Sequence, residues 1–235
     1  MESPEIQTEP RLAKVKCVTD HREIVRERVG DKVFEYPGGS FFQNNNSVLL
    51  PLVGYVREAI FENIVASNRA LKIQPSYLVD AYCGSGLFSI MLSPFFSRIA
   101  GIELSKESIN AATKNAILND ISEDKISFRS GDASNIFSAV PDFPPEETVV
   151  IIDPPRKGCD ESFLDQLLKF RSSTVVYVSC NVHTQARDIG TILRKSESDL
   201  DRGRYIIESI RGFDLFPQTA HVESIAVLRL DMKNS

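Results

Sequence analysis

Four cysteines are the first candidates for covalent chemistry in this chain, and Cys180 differs from the others in its position. It ends the segment YVSCN, where a predicted buried strand is followed at once by a predicted helix. The amino terminus of a helix carries partial positive charge, which stabilises a thiolate and lowers the pKa of the thiol. Open α/β sheets also bind ligands beside their strand ends. We therefore predict that Cys180 is a reactive nucleophile rather than a buried structural cysteine.

The segment IIDPPRKGCD places an acid, a cation and a second thiol at the end of another predicted strand. Two prolines stiffen the exit from that strand and prevent it from continuing as a helix. They hold Asp153 and Arg156 at the sheet edge, although a rigid turn with Asp160 as a helix cap explains the same pattern. Cys159 in this segment is a rival nucleophile to Cys180.

Glu223 and Gln43 are candidates for proton transfer and for recognition of a planar base. Glu223 lies in FDLFPQTAHVES, the link between the last two predicted strands, where a carboxylate could act as a general base. Pattern alone favours a solvated hairpin glutamate there, and nearby His221 has no assigned role. Gln43, in FFQNNN, offers both donors and an acceptor, as needed to read a pyrimidine edge, or else caps the following helix.

A glycine-rich turn and two acids follow the first three strands of the predicted sheet. DAYCGSG opens a helix, and its glycines Gly84 and Gly86 let a ligand approach the backbone. Glu103, at the tip of the second strand, can accept hydrogen bonds from both hydroxyls of a ribose. Asp132, after the third strand, can meet an adenine amino group or cap a helix. NAD and S-adenosylmethionine both carry these groups, so the turn and the acids alone leave both cofactors open.

The elements that must position these residues follow from the apolar pattern. From Tyr77 onward, predicted strands alternate with predicted helices, which is typical of right-handed βαβ units and a parallel sheet. Strands such as TVVIIDPP are apolar without alternation, so both of their faces must be covered. The last two strands, RYIIESIRGFD and SIAVLRL, have no helix between them and are predicted to be antiparallel neighbours.

The predicted fold class is α/β: a doubly wound, mostly parallel sheet of the class I methyltransferase (Rossmann-like) type that ends in an antiparallel hairpin. A short N-terminal β appendage precedes it, with strands predicted in AKVKCVTD, REIVRERV and KVFEY. A long helix is predicted from Val48 to Val65, with Pro51 in its first turn, where proline is tolerated.

Composition limits the function classes. The 235 residues are 42% hydrophobic and 25% charged, with a net charge of -5, which counts against a large RNA footprint on this chain. No apolar run approaches the roughly 20 residues that cross a bilayer, and the polar N-terminus has no signal-peptide pattern. The cysteines are dispersed and no Cys/His cluster has zinc spacing, so we expect free thiols, an intracellular protein and no metal.

Six motifs in order resemble those of the RNA (uracil-5-)-methyltransferase family, most closely its fungal tRNA members. They are FFQNNN, VDAYCGSGLFS, GIELS, DPPRKGCD, SCNVHTQARD and FDLFPQTAHVE. The resemblance implies transfer of a methyl group from S-adenosylmethionine to C5 of a uridine, with uridine 54 in the T-loop of tRNA as the expected target. It further implies a covalent bond from the nucleophile Cys180 to C6 of uracil, and Glu223 as the base.

The resemblance and the motifs together assign the remaining roles. The residues expected to bind the cofactor are Gln43, Tyr82, Gly84, Gly86, Glu103, Asp132 and Asp153. The residues expected to bind the substrate are Gln43, Asp153 and Arg156. We expect a polar tail over residues 1–12, a β appendage over 13–40 as the remnant of a central domain, and a catalytic domain over 41–235. The expected protein is monomeric, binds RNA, and contacts no membrane.

Other functions remain open at this point. An RNA cytosine-5 methyltransferase would use a cysteine such as Cys159, and an amino methyltransferase would need an aromatic residue where Arg156 follows the two prolines. A nicotinamide oxidoreductase could use the same sheet. The chain could also be a catalytic fragment that holds cofactor but is inactive alone, or it could methylate uridine in ribosomal RNA.

Overall fold

The computed structural model describes residues 17–61, 74–131, 136–138, 140–198 and 203–232. Its centre is a seven-stranded sheet with the strand order β5-β4-β3-β6-β7-β9-β8. The strands are β3 (Tyr77–Ala81), β4 (Arg98–Glu103), β5 (Ile126–Ser130), β6 (Thr148–Ile152), β7 (Thr174–Ser179), β8 (Arg204–Phe213) and β9 (Glu223–Asp231). Strands β3 to β7 are parallel, whereas β9 runs antiparallel to both β7 and β8. The predicted fold class is confirmed.

The described ranges contain five helices that accompany the sheet. They are α1 (Asn46–Phe61), α2 (Leu87–Met91), α3 (Lys106–Leu118), α4 (Glu161–Phe170) and α5 (Val182–Glu197), with short 3-10 turns at Ser93–Phe95 and Pro145–Glu147. Strand order reverses at β3, because β4 pairs on one side of it and β6 on the other. A crevice opens at such a reversal, outside the carboxyl ends of the strands. None of the helices in the described ranges is long and apolar enough to span a membrane.

Two apolar layers cover the sheet. Every residue of β6 is buried, as the unbroken apolar run predicts, and so is every residue of β7. One layer packs α1 and α2 against the sheet, and it includes Val29 and Phe34. The other layer contains Phe163 and Ile192, from α4 and α5. Sequence patterns at the strands are therefore explained by burial on both faces.

An N-terminal hairpin, β1 (Ile24–Val29) and β2 (Lys32–Pro37), forms a separate two-stranded sheet. Residues 17–20 of the predicted first strand are not in a strand, and residues 1–16 lie outside the described part of the chain. The hairpin still shares a core with the seven-stranded sheet, because Phe34 belongs to the same buried cluster as α1. The proposed division at residues 12 and 40 stays a prediction.

Two helices have other bounds than the sequence predicts. The predicted helix over LFSIMLSPFF ends at Met91 and continues only as a 3-10 turn. Helix α1 begins at Asn46, two residues earlier than predicted, so Pro51 lies in its second turn rather than its first. Proline has no N–H to donate to the carbonyl one turn earlier. Loss of this hydrogen bond is tolerated because Pro51 lies on the exposed side of the helix. The predicted end of this helix at Val65 lies outside the described residues.

Asn115 of α3 ties the hairpin to the glycine-rich turn. Its Oδ1 accepts the backbone N–H of Glu35 at 2.7 Å, and its Nδ2 donates to the carbonyl of Ser85 at 3.1 Å. Its side chain is fully buried. Neighbouring Asn119 pairs with both backbone groups of Val33, at 2.9 and 2.7 Å. The hairpin therefore supports, from outside, the turn that enters the crevice.

We expect Asn115→Ala to lower the free energy of unfolding by about 3 kcal/mol, because it leaves two backbone groups in the interior without a partner. Asn110→Ala on the same helix is the matched control, since Asn110 is exposed and alanine favours helix. Urea denaturation followed by circular dichroism measures both. Equal effects of the two substitutions would show that the Asn115 bridge is not a main support of the hairpin.

Candidate active site

A cleft of about 600 Å³ lies at the carboxyl ends of the parallel strands. The predicted site residues that line it are Gln43, Tyr82, Gly84, Glu103, Asp153, Arg156, Cys180 and Glu223. They come from six separate segments, which the parallel register of β3, β4 and β6 brings to one edge. The chain thus gathers a thiol, several carboxylates, an amide and a guanidinium group around one volume. Asp132 lies outside the described residues.

The glycine-rich turn follows β3 and opens α2. A Cβ placed on Gly84 would meet nothing within 4 Å, so this residue faces open space in the cleft. Gly86 differs: its φ is +89°, and a Cβ there would lie 3.1 Å from Phe128 and 3.3 Å from Ala112. Gly86 is not among the residues that line the cleft. Its role in the structure is the close packing of α2 on β5 and α3.

Glu103 at the tip of β4 faces the glycine-rich turn. Its Oε1 accepts the N–H of Ser105 at 2.9 Å, and its Oε2 lies 3.4 Å from the N–H of Gly84. The cap of α3 is Ser105, whose side chain accepts from Ser108. Glu103 is therefore free from helix capping, and its carboxylate keeps lone pairs for a ligand in the cleft.

Carboxyl groups crowd the floor of the cleft. Burial raises the pKa of Asp153 well above its usual range, and the nearby carboxylates of Glu223, Asp80 and Glu103 raise it further. Burial also raises the pKa of Glu223 to about 7. Burial raises the pKa of Asp80, behind the glycine-rich turn, to about 6. Two hydrogen bonds from Ser89 lower this pKa but do not cancel the rise. Mutual repulsion and desolvation favour a ligand that brings positive charge.

This donor set fits S-adenosylmethionine, whose sulfonium group is a cation. The pyrophosphate of NAD is anionic and would be repelled by the carboxylates of Glu103, Asp153 and Glu223. Gln43 also lines the cleft, and its buried Oε1 has no hydrogen-bond partner among the described residues. An unsatisfied buried acceptor costs free energy, so a donor on the bound molecule would stabilise the site.

Glu223 is buried, with 1% of its surface exposed. It is the first residue of β9, opposite Phe213 in β8. The interpretation as a solvated hairpin glutamate is wrong, because β9 lies between β7 and β8 in the sheet and its first residue is covered by neighbours. His221, two residues earlier, is exposed and contacts Phe216 edge-on at 6.1 Å between ring centroids.

Cys180 is half-buried and lines the cleft, directly before Asn181, the cap of α5. The prediction of a lowered pKa is wrong for this structure. Burial and the Glu223 carboxylate raise the pKa of the thiol, whereas hydrogen bonding and charge from Arg156 lower it without cancelling the rise. Among the side chains that act on the thiol, Arg156 is the group that favours a thiolate.

Cys159 does not line this cleft. Its buried Sγ lies 3.8 Å from the hydroxyl of Tyr177, and burial raises its pKa to about 12. A thiol in that state is a poor nucleophile. The geometry therefore favours Cys180 over Cys159 as the reactive cysteine.

Aromatic rings at the mouth were not predicted from the sequence. Phe41 is 70% exposed and lines the cleft together with Phe216, and Lys157 adds a cation beside Arg156. An exposed ring at the entrance to a polar cleft is suited to stacking on a planar ligand. The sequence motifs could have indicated these rings, since Phe41 belongs to the motif that contains Gln43 and Phe216 to the motif that contains Glu223.

Residues 5–230 match the model of the tRNA (uracil-5-)-methyltransferase family. The chain belongs to this family. It is 50% identical over 212 residues to the tRNA (uracil(54)-C(5))-methyltransferase of Schizosaccharomyces pombe, with 90% of this chain and 38% of that protein covered. It is 46% identical over 219 residues to the enzyme of the same name from Saccharomyces cerevisiae, with 93% and 33% covered. The chain thus spans about a third of the length of these curated relatives.

A solved structure shows the same fold. The tRNA (uracil-54, C5)-methyltransferase of Pyrococcus abyssi in complex with S-adenosyl-L-homocysteine superposes with a TM-score of 0.69 at 29% identity. The match covers 88% of this chain and 44% of that one. The predicted family resemblance is confirmed by these comparisons.

The raised pKa of Glu223 predicts a specific dependence of stability on pH. The folded protein holds this proton up to about pH 7, whereas an unfolded glutamate loses it near 4.5. The native state therefore binds more protons in this range, and the group's contribution falls as pH rises from about 4.5 to 7. Glu223→Gln, which cannot ionise, should gain stability relative to the parent chain by up to about 3 kcal/mol between pH 5 and 8.

Urea unfolding at pH 5, 6, 7 and 8 measures this difference. Glu146→Gln is the control, because Glu146 is an exposed glutamate on the 3-10 turn before β6. A difference between the Glu223→Gln variant and the parent that stays constant with pH would contradict the account of a carboxyl group desolvated by the cleft.

Proposed function

We propose that this chain transfers a methyl group from S-adenosylmethionine to C5 of a uridine in RNA, with uridine 54 of tRNA as the favoured target. The supporting observation is that a thiol, Cys180, and a buried carboxyl of raised pKa, Glu223, line one cleft with the unsatisfied amide of Gln43. The relatives named above carry this activity in their names, and they are about three times as long as the matched region.

Cys180 acts as the nucleophile in the proposed reaction. C5 of uracil is a weak carbon nucleophile, and addition of a thiolate to C6 moves the electron pair of the C5–C6 double bond toward C5 and the O4 oxygen. The Arg156 guanidinium favours the thiolate that this step requires. Gln43 has donors and an acceptor for the edge of the base, where charge develops on oxygen. One difficult substitution thereby becomes two easier steps.

Glu223 acts as the general base. After methylation, C5 carries both a methyl group and a proton, and Glu223 removes that proton. The electron pair of the C–H bond then re-forms the C5–C6 double bond and expels the Cys180 thiolate. A carboxylate with a pKa of about 7 is a stronger base than an ordinary glutamate and is still partly ionised at neutral pH.

The cofactor is expected to lie between the glycine-rich turn and the tip of β4. Glu103 would hold the ribose hydroxyls, Gly84 and Tyr82 would line the adjoining face, and Asp153 would lie between cofactor and base. When bound, S-adenosylmethionine supplies the electrophilic methyl group. The carboxylates of the cleft favour its positive charge and keep the site selective for the charged, methylated form over the neutral product.

RNA would reach this cleft with the target base turned out of its stack. The exposed ring of Phe41 and the cations of Arg156 and Lys157 lie where a flipped nucleotide would enter. The net charge of -5 makes this basic mouth a local feature of the surface. Arg156 occupies the position after the two prolines where an amino methyltransferase would need an aromatic ring, so uridine C5 is the better-supported target.

Cys180→Ala is expected to reduce methyl transfer by about 10⁴-fold or more, because Cys83, another thiol in the lining of the cleft, is buried and its pKa is raised well above the usual value by that burial. Cys159→Ala is the matched control and should retain activity, since this thiol lies behind the cleft. Two assays measure the activity of each variant. One follows transfer of a tritiated methyl group from S-adenosylmethionine to a tRNA transcript, and the other follows release of tritium from uridine labelled at C5. Activity lost in the Cys159 variant but kept in the Cys180 variant would overturn the assignment of the nucleophile.

Glu103→Gln is expected to weaken binding of S-adenosylmethionine by about tenfold, because it replaces a charged acceptor of two ribose hydroxyls with a neutral one. Isothermal titration of the chain with cofactor alone measures this, with no RNA needed. NAD is the control ligand and should not bind. Tight NAD binding, or unchanged affinity in the variant, would contradict the proposed placement of the cofactor.

A further inference from the structure

The turn over residues 153–160 is fastened to α5 by a buried carboxylate that no step of the proposed reaction uses. Asp188 is only 1% exposed. Its Oδ2 accepts hydrogen bonds from the backbone N–H of Cys159 at 2.8 Å and from the hydroxyl of Tyr177 at 2.7 Å. Its Oδ1 accepts from Nε of Arg187 at 2.9 Å. A buried carboxylate is stable only with such partners, so this arrangement fixes its neighbours.

Side chains of α5 and of its cap also hold the carbonyl groups of the turn. Nδ2 of Asn181 donates to the carbonyl of Arg156 at 3.0 Å, and Oγ1 of Thr184 donates to the same oxygen at 3.2 Å. A guanidinium N–H of Arg187 donates to the carbonyl of Lys157 at 2.9 Å. With the bond from Asp188 to the N–H of Cys159, three residues of the turn are bonded to one end of α5.

Gly158 shows how closely the turn approaches the helix. A Cβ on this residue would lie 2.5 Å from Oδ2 of Asp188 and 2.6 Å from a guanidinium nitrogen of Arg187. Its φ is +79°, a conformation that other residues rarely adopt. The backbone of the turn is therefore in direct contact with the Asp188 carboxylate, and a larger residue would separate them.

The same end of α5 also places the nucleophile. Cys180 directly precedes Asn181, the residue that caps the helix and holds the carbonyl of Arg156. The charged groups that act on the Cys180 thiol are Arg156 from the turn, Glu223 from β9 and Asp153 from the end of β6. Only Arg156 among these favours the thiolate, so its distance from the thiol controls how readily Cys180 ionises.

We propose that Asp188 is a positioning residue that acts through Arg156. By fastening the turn to α5, its carboxylate keeps the Arg156 guanidinium beside the Cys180 thiol. The inference rests on the proposed function, in which Cys180 is the nucleophile. It assigns a role in reactivity to a carboxylate that reaches neither the substrate nor the cofactor.

The pH dependence of Cys180 alkylation tests this proposal without RNA or cofactor. Intact chain is treated with iodoacetamide at a series of pH values, and the rate at each cysteine is measured by peptide mass spectrometry. Asp188→Asn keeps the shape of the side chain but presents N–H groups to the Cys159 N–H and the Tyr177 hydroxyl. The midpoint of Cys180 alkylation should rise toward that of Arg156→Ala, and the double variant should rise no further than Arg156→Ala alone.

Two references make the result specific. Cys17 is an exposed free thiol in the same chain, and its profile should not move. Asp165→Asn removes an exposed ion pair with Lys195 between α4 and α5, 2.7 Å in length, and should leave the Cys180 midpoint unchanged. Thr184→Val is the substitute variant if Asp188→Asn does not fold. Thr184 is partly exposed, and its replacement removes one hydrogen bond to the Arg156 carbonyl, so the midpoint of Cys180 alkylation should also rise.

An unchanged Cys180 midpoint in a folded Asp188→Asn variant would overturn the proposal and leave Asp188 as a stabilising residue only. A shift that adds to that of Arg156→Ala would also overturn it, because Asp188 would then act independently of Arg156. If Asp188→Asn fails to fold, an unchanged midpoint in Thr184→Val has the same consequence. The predicted shift together with absent methyl transfer would count against the proposed function and not against this inference.

Discussion

Crowding of carboxyl groups at the edge of the sheet is the constraint on which the site depends. Glu223 is buried and Asp153 is half-buried in the cleft that Glu103 also lines, and desolvation together with the nearby carboxylates raises the pKa of Asp153. Such a site is stable only when protons or cations offset the negative charge. The Arg156 guanidinium supplies one such charge, and a sulfonium-bearing cofactor would supply another. The same desolvation gives Glu223 the basicity that proton abstraction from carbon requires.

The sheet makes this crowding possible. Parallel strands end at one edge, so Glu103 and Asp153, 50 positions apart in the sequence, open onto a common volume. The antiparallel strand β9 then brings Glu223 to that edge beside Cys180, with Ser224 paired to Ser179. Helix α5 supports both the nucleophile and the turn that carries Arg156. Each reacting group is therefore held by regular secondary structure or by a turn bonded to it, which favours a preorganised site.

Much of this architecture could be predicted from the sequence. The apolar runs of β6 and β7 specified buried strands, and the absence of a helix between the last two strands specified their antiparallel pairing. The motifs also placed Cys180, Asp153 and Glu103 at strand ends. Glycine spacing was less informative, because Gly86 serves packing on Phe128 whereas Gly84 faces the cleft, and the sequence pattern does not separate the two.

What the sequence could not supply depends on long-range neighbours. Burial and the Glu223 carboxylate raise the pKa of Cys180, and Arg156 opposes that rise; these two residues lie 43 and 24 positions away in the sequence. The burial of Glu223 follows from the position of β9 inside the sheet. The bonds from Asp188 to the turn likewise depend on a contact across 29 positions. Local pattern identifies such residues as candidates, and only the tertiary contacts give them their environment.

The central claim, that Cys180 adds to C6 of a uridine held in this cleft, is tested most directly by trapping the adduct. The chain is incubated with S-adenosylmethionine and a tRNA T-arm that contains 5-fluorouridine, whose fluorine cannot leave as a proton does. We expect a complex that survives denaturation, carries the transferred methyl group, and maps to Cys180 by peptide mass spectrometry. An adduct at Cys159, or methylation of ordinary uridine without any adduct on the fluorinated RNA, would contradict it.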